Sequence, residues 1–496
     1  MKRFLLAVSF FALLITAVFA GGAGGRAPAQ TGPDPAFFNR KPSGTITVSA
    51  YDSMLYKSYL EEAAKAFEAM YPGVKVNVET FSAMPEIKNM DQGNMRASTV
   101  QMQDDPQAKS DYISRVNTNL MSGTGADVYA MDVLPLRKFV GSGTLENLDP
   151  YMKGDPGFNI ADYRQNIFDA LRYRGGIWFL PMDYTFNYYV YDSTLVPAQI
   201  ASVFGADKAW SADKLMKLGI PLYSGNYKLF SMVDYFRGPA GMFNQYLREN
   251  ITSFINLETG KPNFLDGQFS GLLASITDYA QKGYIPRGVT GQQNAGQIMQ
   301  LNMQAPTDRF FFKSSGNIGL VTMFSRGTGR QTRMITAGVS AGIEDNDEIA
   351  GIQANADGTV PFNFNQGFGI NSQSKNKETA WAFMKFLLSK EMQLSTNIMN
   401  FGLPVNNQAR EEKAALTFSG AAMGINMPVN DQIQTAIENY KTAVEKLSDS
   451  INTYVVQDTS LNDMIAQEVQ YYFSGSRTAD EVAKVLQNKA DLYLSE

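Results

Sequence analysis

Residues Asn365 to Asn397 read NQGFGINSQSKNKETAWAFMKFLLSKEMQLSTN. Gly367, Phe368, Gly369 and Ile370 make a short apolar run, the pattern of a buried strand, and its two glycines let other groups approach the backbone closely. The polar run Ser372 to Asn376 ends that strand. Asn376 is a suitable helix N-cap, and Glu378 falls in the first turn, where negative charge suits the helix dipole. Ala380, Phe383, Met384, Leu387 and Leu388 then recur at the spacing of one helix face, with Lys385 and Lys390 on or near the wet side. The stretch is a strand, a polar turn and an amphipathic helix.

The whole chain has 496 residues, enough for two or more lobes with their own cores. A hydrophobic content of 44% with 18% charged residues describes a soluble globular protein. The net charge of −5, without a basic block, argues against nucleic acid, whose phosphates need clustered Lys and Arg. The chain has no cysteine and no histidine. That removes disulfides, thiolate and imidazole metal sites, Ser-His-Asp triads and a lipobox cysteine together. No metal and no cofactor are expected.

Residues 1–20 carry Lys2 and Arg3, an apolar run from Phe4 to Phe19, and small residues at Val18 and Ala20. This is the pattern of a cleavable secretory signal peptide, so export to the periplasm or the cell exterior is expected. Residues 21–43, rich in Gly, Ala and Pro, read as a flexible leader. Thr45 to Ala50 makes a first strand, Leu60 to Met70 an amphipathic helix stopped by Pro72-Gly73, and Val74 to Val78 a second strand. Such a β-α-β unit implies parallel pairing. Residues 81–111 read as a solvated insertion, Tyr112 to Met121 as a helix, Gly125 to Asp132 as a strand, and Gly176 to Asp192 as a strand running from one lobe toward the next.

GFGINSQSKNKETAWAFMKFLLSKEMQ resembles the late signature of the family 1 extracellular solute-binding proteins of ABC importers, the maltose-binding-protein-like group. In that family a glycine-rich strand, a SKNKE turn and an AWxFxKFLxSxE helix follow one another. YLEEAAKAFEAMYPGVKVNVE is similar to the family's opening, GIWFLPMDYTFNYYVYD to its lobe-crossing strand, FGLPVNNQAR to its GLPV motif, and the run from Ala466 to the C-terminus to its terminal helix pair. The resemblance is weakest over 81–111 and 196–260.

That resemblance implies an α/β, two-lobed periplasmic-binding-protein fold of type II. Each lobe would be a mixed sheet flanked by helices, with three hinge crossings near Asn187 to Tyr191, near Pro361 to Gly367, and after Pro404. The N-terminal lobe would take residues 44–189 plus 367–412, and the C-terminal lobe 190–366 plus 413–496. The implied function is capture of a small solute, a sugar or oligosaccharide, in the inter-lobe cleft by a monomer that delivers it to ABC permease membrane subunits. No bond chemistry is expected of it. A secreted carbohydrate-active enzyme, or a solute sensor for a membrane receptor kinase, are the alternatives.

In open α/β lobes the cleft forms beyond the strand ends. Tyr51, Tyr184, Phe324 and Phe368 lie there as candidate platforms for a sugar face, and Asp52, Asp132 and Asp183 as acceptors for its hydroxyls. The same residues could equally serve as core aromatics and turn aspartates. Trp178, Trp210 and Trp381 read as structural. GVSAG at 338–342 has the spacing of a nucleophile elbow around Ser340, but the chain offers no histidine base. EDNDE at 344–348 fails the EF-hand spacing and reads as an acidic surface loop. Arg326, Arg330 and Arg333 lie in a Gly- and Thr-rich loop, solvated or a clamp for an anionic ligand.

Overall fold

The computed structural model describes residues 32–51, 57–81, 106–231, 238–256, 259–285, 310–314, 347–395, 402–418, 431–454 and 458–495. Asp52, Phe324, Ser340, the arginine-rich loop, residues 1–31 and most of the 81–111 segment lie outside them.

The β-branched run at the start of the chain forms the strand Gly44–Tyr51, which pairs in parallel with Val74–Phe81 along its whole length. The helix Lys57–Met70 links the two. Alternation sends Ile46, Val48 and Ala50 to one face, where they pack with Leu60, Ala63 and Phe67 of that helix. Val128–Ala130 adds in parallel on the other side of Gly44–Tyr51, and Gly367–Ile370 follows antiparallel to it. Leu180–Pro181 closes the five-stranded order at the edge, where a proline without an N–H is tolerated.

Gly367 and Gly369 are needed for close approach. A Cβ on Gly369 would lie 2.9 Å from the Trp178 carbonyl oxygen, and one on Gly367 would lie 2.9 Å from the Phe179 ring. The helix after this strand is Lys377–Leu387, and Ala380, Phe383, Met384 and Leu387 are all fully buried, as their spacing requires. Phe383 meets Phe67 edge-on at 5.2 Å between ring centres. Each such buried aromatic stabilises the lobe by about 1.5–3 kcal/mol.

Asn376 occupies the N-cap position but its side chain does not cap; its amide donates instead to the Thr45 carbonyl at 3.0 Å, tying the helix start to the first strand. Lys385, expected on the wet side, pairs with the buried Asp155 at 2.6 Å.

A second five-stranded sheet has the order Ala209–Trp210, Asp347–Gln353, Tyr188–Asp192, Phe310–Ser314, Lys228–Ser231. Its central strand runs antiparallel to both neighbours, and the outer pairs are parallel. Asp347 and Glu348, read from sequence as part of an acidic loop, belong to this sheet, and Glu348 accepts from the Tyr191 hydroxyl at 2.6 Å. Helices Pro239–Phe254, Gln268–Gln281, Thr459–Phe473 and Ala479–Ser495 contribute the rest of a second apolar core, separate from the first.

Two segments differ from expectation. Residues 32–43, expected to belong to a flexible leader, pack on the first lobe, with Phe37 edge-on to Tyr151 at 5.3 Å and the Ser43 N–H donating to the Thr379 hydroxyl at 3.0 Å. The helix Asp431–Asp449, expected in the C-terminal lobe, places Val444 and Leu447 in the first core. Arg164 of the first lobe pairs with Glu445 and Asp449 on that helix, and the Asn166 amide donates to the Ser448 carbonyl at 2.8 Å.

The three tryptophans are structural. Each indole N–H donates within the fold: Trp178 to the Tyr173 carbonyl at 2.7 Å, Trp210 to the Ala350 carbonyl at 3.0 Å, and Trp381 to Asp155 at 2.7 Å.

Candidate functional site

The strand expected over Gly176 to Asp192 is broken into Leu180–Pro181, Asp183–Tyr184 and Tyr188–Asp192, because its backbone partner changes along the way. Met182 N–H donates to the Gln366 carbonyl at 2.8 Å, Thr185 and Asn363 exchange both backbone bonds at 2.7 and 2.8 Å, and Gln353 N–H donates to the Asn187 carbonyl at 2.9 Å. Leu403–Pro404 pairs antiparallel with Asp183–Tyr184 from the other side. Segment 181–192 is thus a seam leading from the first sheet into the second, flanked by residues 347–367 along its length and by 402–405 at its start.

Asp183 holds this seam. It is fully buried, and its carboxylate accepts from Asn365 N–H at 2.9 Å, the Asn365 side-chain amide at 2.7 Å and Gln366 N–H at 3.0 Å. Gly402 makes room for it, since a Cβ there would lie 1.9 Å from the carboxylate. Burial pushes the carboxyl above its ordinary range, while those donors and the Lys413 charge pull it back. Burial in turn pushes the Lys413 ammonium down to about 8, and the Asp183 charge holds it up.

Tyr184 is equally buried. Its hydroxyl donates to Ser448 at 3.3 Å and its ring stacks with Phe186. Phe368 lies in the strand opposite Ala130 and Leu180 with no exposed surface.

A second cluster sits at the carboxyl ends of the three parallel strands. Tyr51 ends the first, Phe81 ends the second, and Asp132 lies just beyond Val128–Ala130. Tyr112, from the helix Pro106–Ser122, packs between the two rings at 5.8 Å from Tyr51 and 5.9 Å from Phe81. Asp132 is half-buried, and its charge adds to the burial that keeps the Tyr112 phenol protonated. This cluster adjoins the seam. Met131 N–H donates to the Gly367 carbonyl at 2.8 Å, and Gly367 directly follows the Gln366 that Asp183 holds.

Of the sequence-based candidates, the fold therefore brings Tyr51 and Asp132 together at the strand ends and places Asp183 and Tyr184 in the seam. Three further residues had no distinguishing signal in the sequence. Gln366 is buried with both amide atoms lacking a hydrogen-bond partner among the described residues, as are the Thr185 hydroxyl of the seam and that of Tyr59, whose phenol lies within electrostatic reach of Asp183. Unsatisfied buried polar groups are costly.

The model of the family "Bacterial extracellular solute-binding protein" matches residues 62–417, most of the chain. The chain belongs to that family. No curated protein matches it in sequence. Among solved structures it is similar to an extracellular solute-binding protein family 1 member from Alicyclobacillus acidocaldarius. There the identity is 16%, coverage is 92% of this chain and 100% of the other, and the TM-score is 0.54. It is also similar to the sugar-binding protein MalE from Xanthomonas citri, at 13% identity, 91% and 98% coverage and a TM-score of 0.52. At these identities the likeness carries the fold. The two sheets, the separate cores and the seam between them are the two-lobed α/β architecture of solute-binding proteins. The family is one of solute-binding proteins.

Proposed function

We propose that this solute-binding protein is the extracytoplasmic receptor of an ABC import system, and that its solute is a carbohydrate or oligosaccharide. The lobes close on the sugar about the seam and deliver it to the permease subunits, with no bond chemistry on the way. The observation that carries the reading is the cluster of Tyr51, Phe81, Tyr112 and Asp132 at the carboxyl ends of parallel strands, directly beside the seam. Open α/β sheets bind ligands at such ends. An aromatic face covers the C–H patches of a sugar ring, and a carboxylate accepts from its hydroxyls. The similarity to a sugar-binding MalE points the same way.

Within this reading Asp132 and Phe81 touch the sugar, with Tyr51 and Tyr112 behind them. Asp183 and Tyr184 set the hinge, and Phe368 supports the cleft floor. Asp52 and Phe324 remain contacts proposed from sequence. The protein acts as a monomer after removal of residues 1–20.

A thermal-shift screen of the chain from Gly21 against mono- and oligosaccharides, uronates and amino acids tests this. A ligand at 100 times its dissociation constant adds about 2.7 kcal/mol. A sugar hit is expected, with no release of reducing ends on prolonged incubation. Turnover of the sugar would replace the receptor reading with an enzyme, and a hit confined to amino acids would overturn the carbohydrate assignment.

A further inference from the structure

The first lobe carries a concavity that shares Phe81 and Tyr112 with the strand-end cluster. It has a volume of about 410 Å³, within the range of small-molecule sites. It runs along the sheet beside the helix Pro106–Ser122, from Phe81 and Lys57 at the carboxyl ends of the strands down to Thr124, Gly125 and Ala126 ahead of the third strand.

Its floor is polar for a reason that can be read from the strand. Ile46, Val48 and Ala50 face the helix Lys57–Met70, so Thr47 and Ser49 face the other way. The register sets Asn77 beside Thr47 and Glu79 beside Ser49 on that same face. Parallel strands covered on both sides are ordinarily apolar on both. Here one face is given to hydroxyls, which gain nothing from burial unless they are hydrogen-bonded.

The bonding inside the cavity leaves donors over. Ser49 and Tyr112 share one hydrogen bond at 3.2 Å between two hydroxyls, so one O–H remains. The Tyr129 hydroxyl accepts from Ala126 N–H at 2.7 Å and keeps its own proton to donate. Burial raises both phenols, Tyr129 to about 12, so both stay protonated at any physiological pH. Arg115 and Lys57 supply two cations to the lining against the single carboxylate of Glu79, and among the described residues neither cation forms an ion pair. The cavity is rich in donors and presents the two cations at its surface, while the carboxylates of Asp127 and Asp132 act on Thr47, Tyr129 and Tyr112 of its lining.

We propose that this groove is a branch of the strand-end site, entered at Phe81 and Tyr112, that takes a small polyhydroxylated carboxylate of the sugar-acid class, an inference that rests on the carbohydrate reading above. Arg115 and Lys57 take the carboxylate, and Ser49, Tyr112 and Tyr129 take hydroxyl oxygens. A guanidinium fork suits a carboxylate bidentately. All of the lining belongs to the first lobe, so occupancy needs no lobe closure.

The test is calorimetric titration of the chain from Gly21 with D-gluconate and D-glucuronate, repeated on Arg115→Gln, Lys57→Gln and Asp132→Asn. Small-angle scattering is recorded with and without the acid. Arg115 and Lys57 are exposed, so their variants keep the fold. The expected result is binding of at least one acid, weakened tenfold or more by Arg115→Gln, weakened by Lys57→Gln, affected less by Asp132→Asn than by Arg115→Gln, and without change in the radius of gyration. Any one of three results would overturn the proposal: no binding of either acid, binding indifferent to Arg115→Gln, or binding lost in Asp132→Asn with closure of the lobes. The last would assign the acid to the cleft and leave the receptor reading intact.

Discussion

Replacing Asp183 with alanine tests whether one carboxylate holds the seam. The change removes the acceptor of two backbone N–H groups and one side-chain amide, all at 2.7–3.0 Å in a fully buried setting. It also leaves the half-buried Lys413 without the charge that holds its ammonium up. Each buried donor left unmade costs about 1–3 kcal/mol. Against this stands relief of the carboxylate's own desolvation, the effect that raises its pKa. A net loss of about 3 kcal/mol follows, which lowers the melting temperature of a lobe-sized unit by about 6–12 °C.

Differential scanning calorimetry of the variant measures it. Gly402 supplies an internal control. Gly402→Ala drives a Cβ into Asp183 in the parent chain, but in the Asp183→Ala background the obstacle is gone, so the two costs are not additive. A variant melting within a degree of the parent, or strictly additive costs in the pair, would refute the assignment of Asp183 to the seam.

Three other outcomes are expected. Glu249 in the second lobe is buried, accepts from Tyr189, Gln245 and Ala212 N–H, and has its carboxyl pushed by burial up to about 7 from 4.5. The folded state then keeps a proton between pH 4.5 and 7 that the unfolded chain releases. Stability falls as pH rises through that window, by about 3 kcal/mol in all. Glu249→Gln should flatten this dependence in melting curves from pH 4.5 to 8, and parallel curves would contradict the cause. Trp381→Phe removes the indole donor to Asp155 while Lys385 still pairs with that carboxylate, and a loss of about 1–2 kcal/mol is expected by urea titration. Asp132→Asn should weaken sugar binding about tenfold, or about 1.4 kcal/mol, with the melting temperature of the free protein almost unchanged; unchanged affinity would remove Asp132 from the site.

Local pattern made much of the fold legible. The period-3.6 spacing of Ala380, Phe383, Met384 and Leu387 and the alternation of Ile46, Val48 and Ala50 each assign a face, and the structure buries those faces. What stayed hidden depends on partners distant in sequence. Asp183 looks from sequence like any strand-end acceptor, and its use is decided by Asn365, 182 residues later. Asn376 has the chemistry of a cap, but Thr45, 331 residues earlier, offers its amide a better bond. The helix Asp431–Asp449 is amphipathic whichever lobe it joins, and only the cross-chain pairing with Arg164 and Asn166 decides. The site divides in the same way. Tyr51 and Asp132 could be proposed from their positions at strand ends, whereas Tyr112 reaches them from a helix that carried no site candidate in the sequence.

The central claim is that two lobes joined by the seam close on a carbohydrate. Small-angle X-ray scattering of the chain from Gly21, alone and with the sugar found in the thermal screen at 100 times its dissociation constant, tests it most directly. The account expects a smaller radius of gyration with sugar, reversed on dialysis. An identical scattering profile at saturation would contradict closure about the seam.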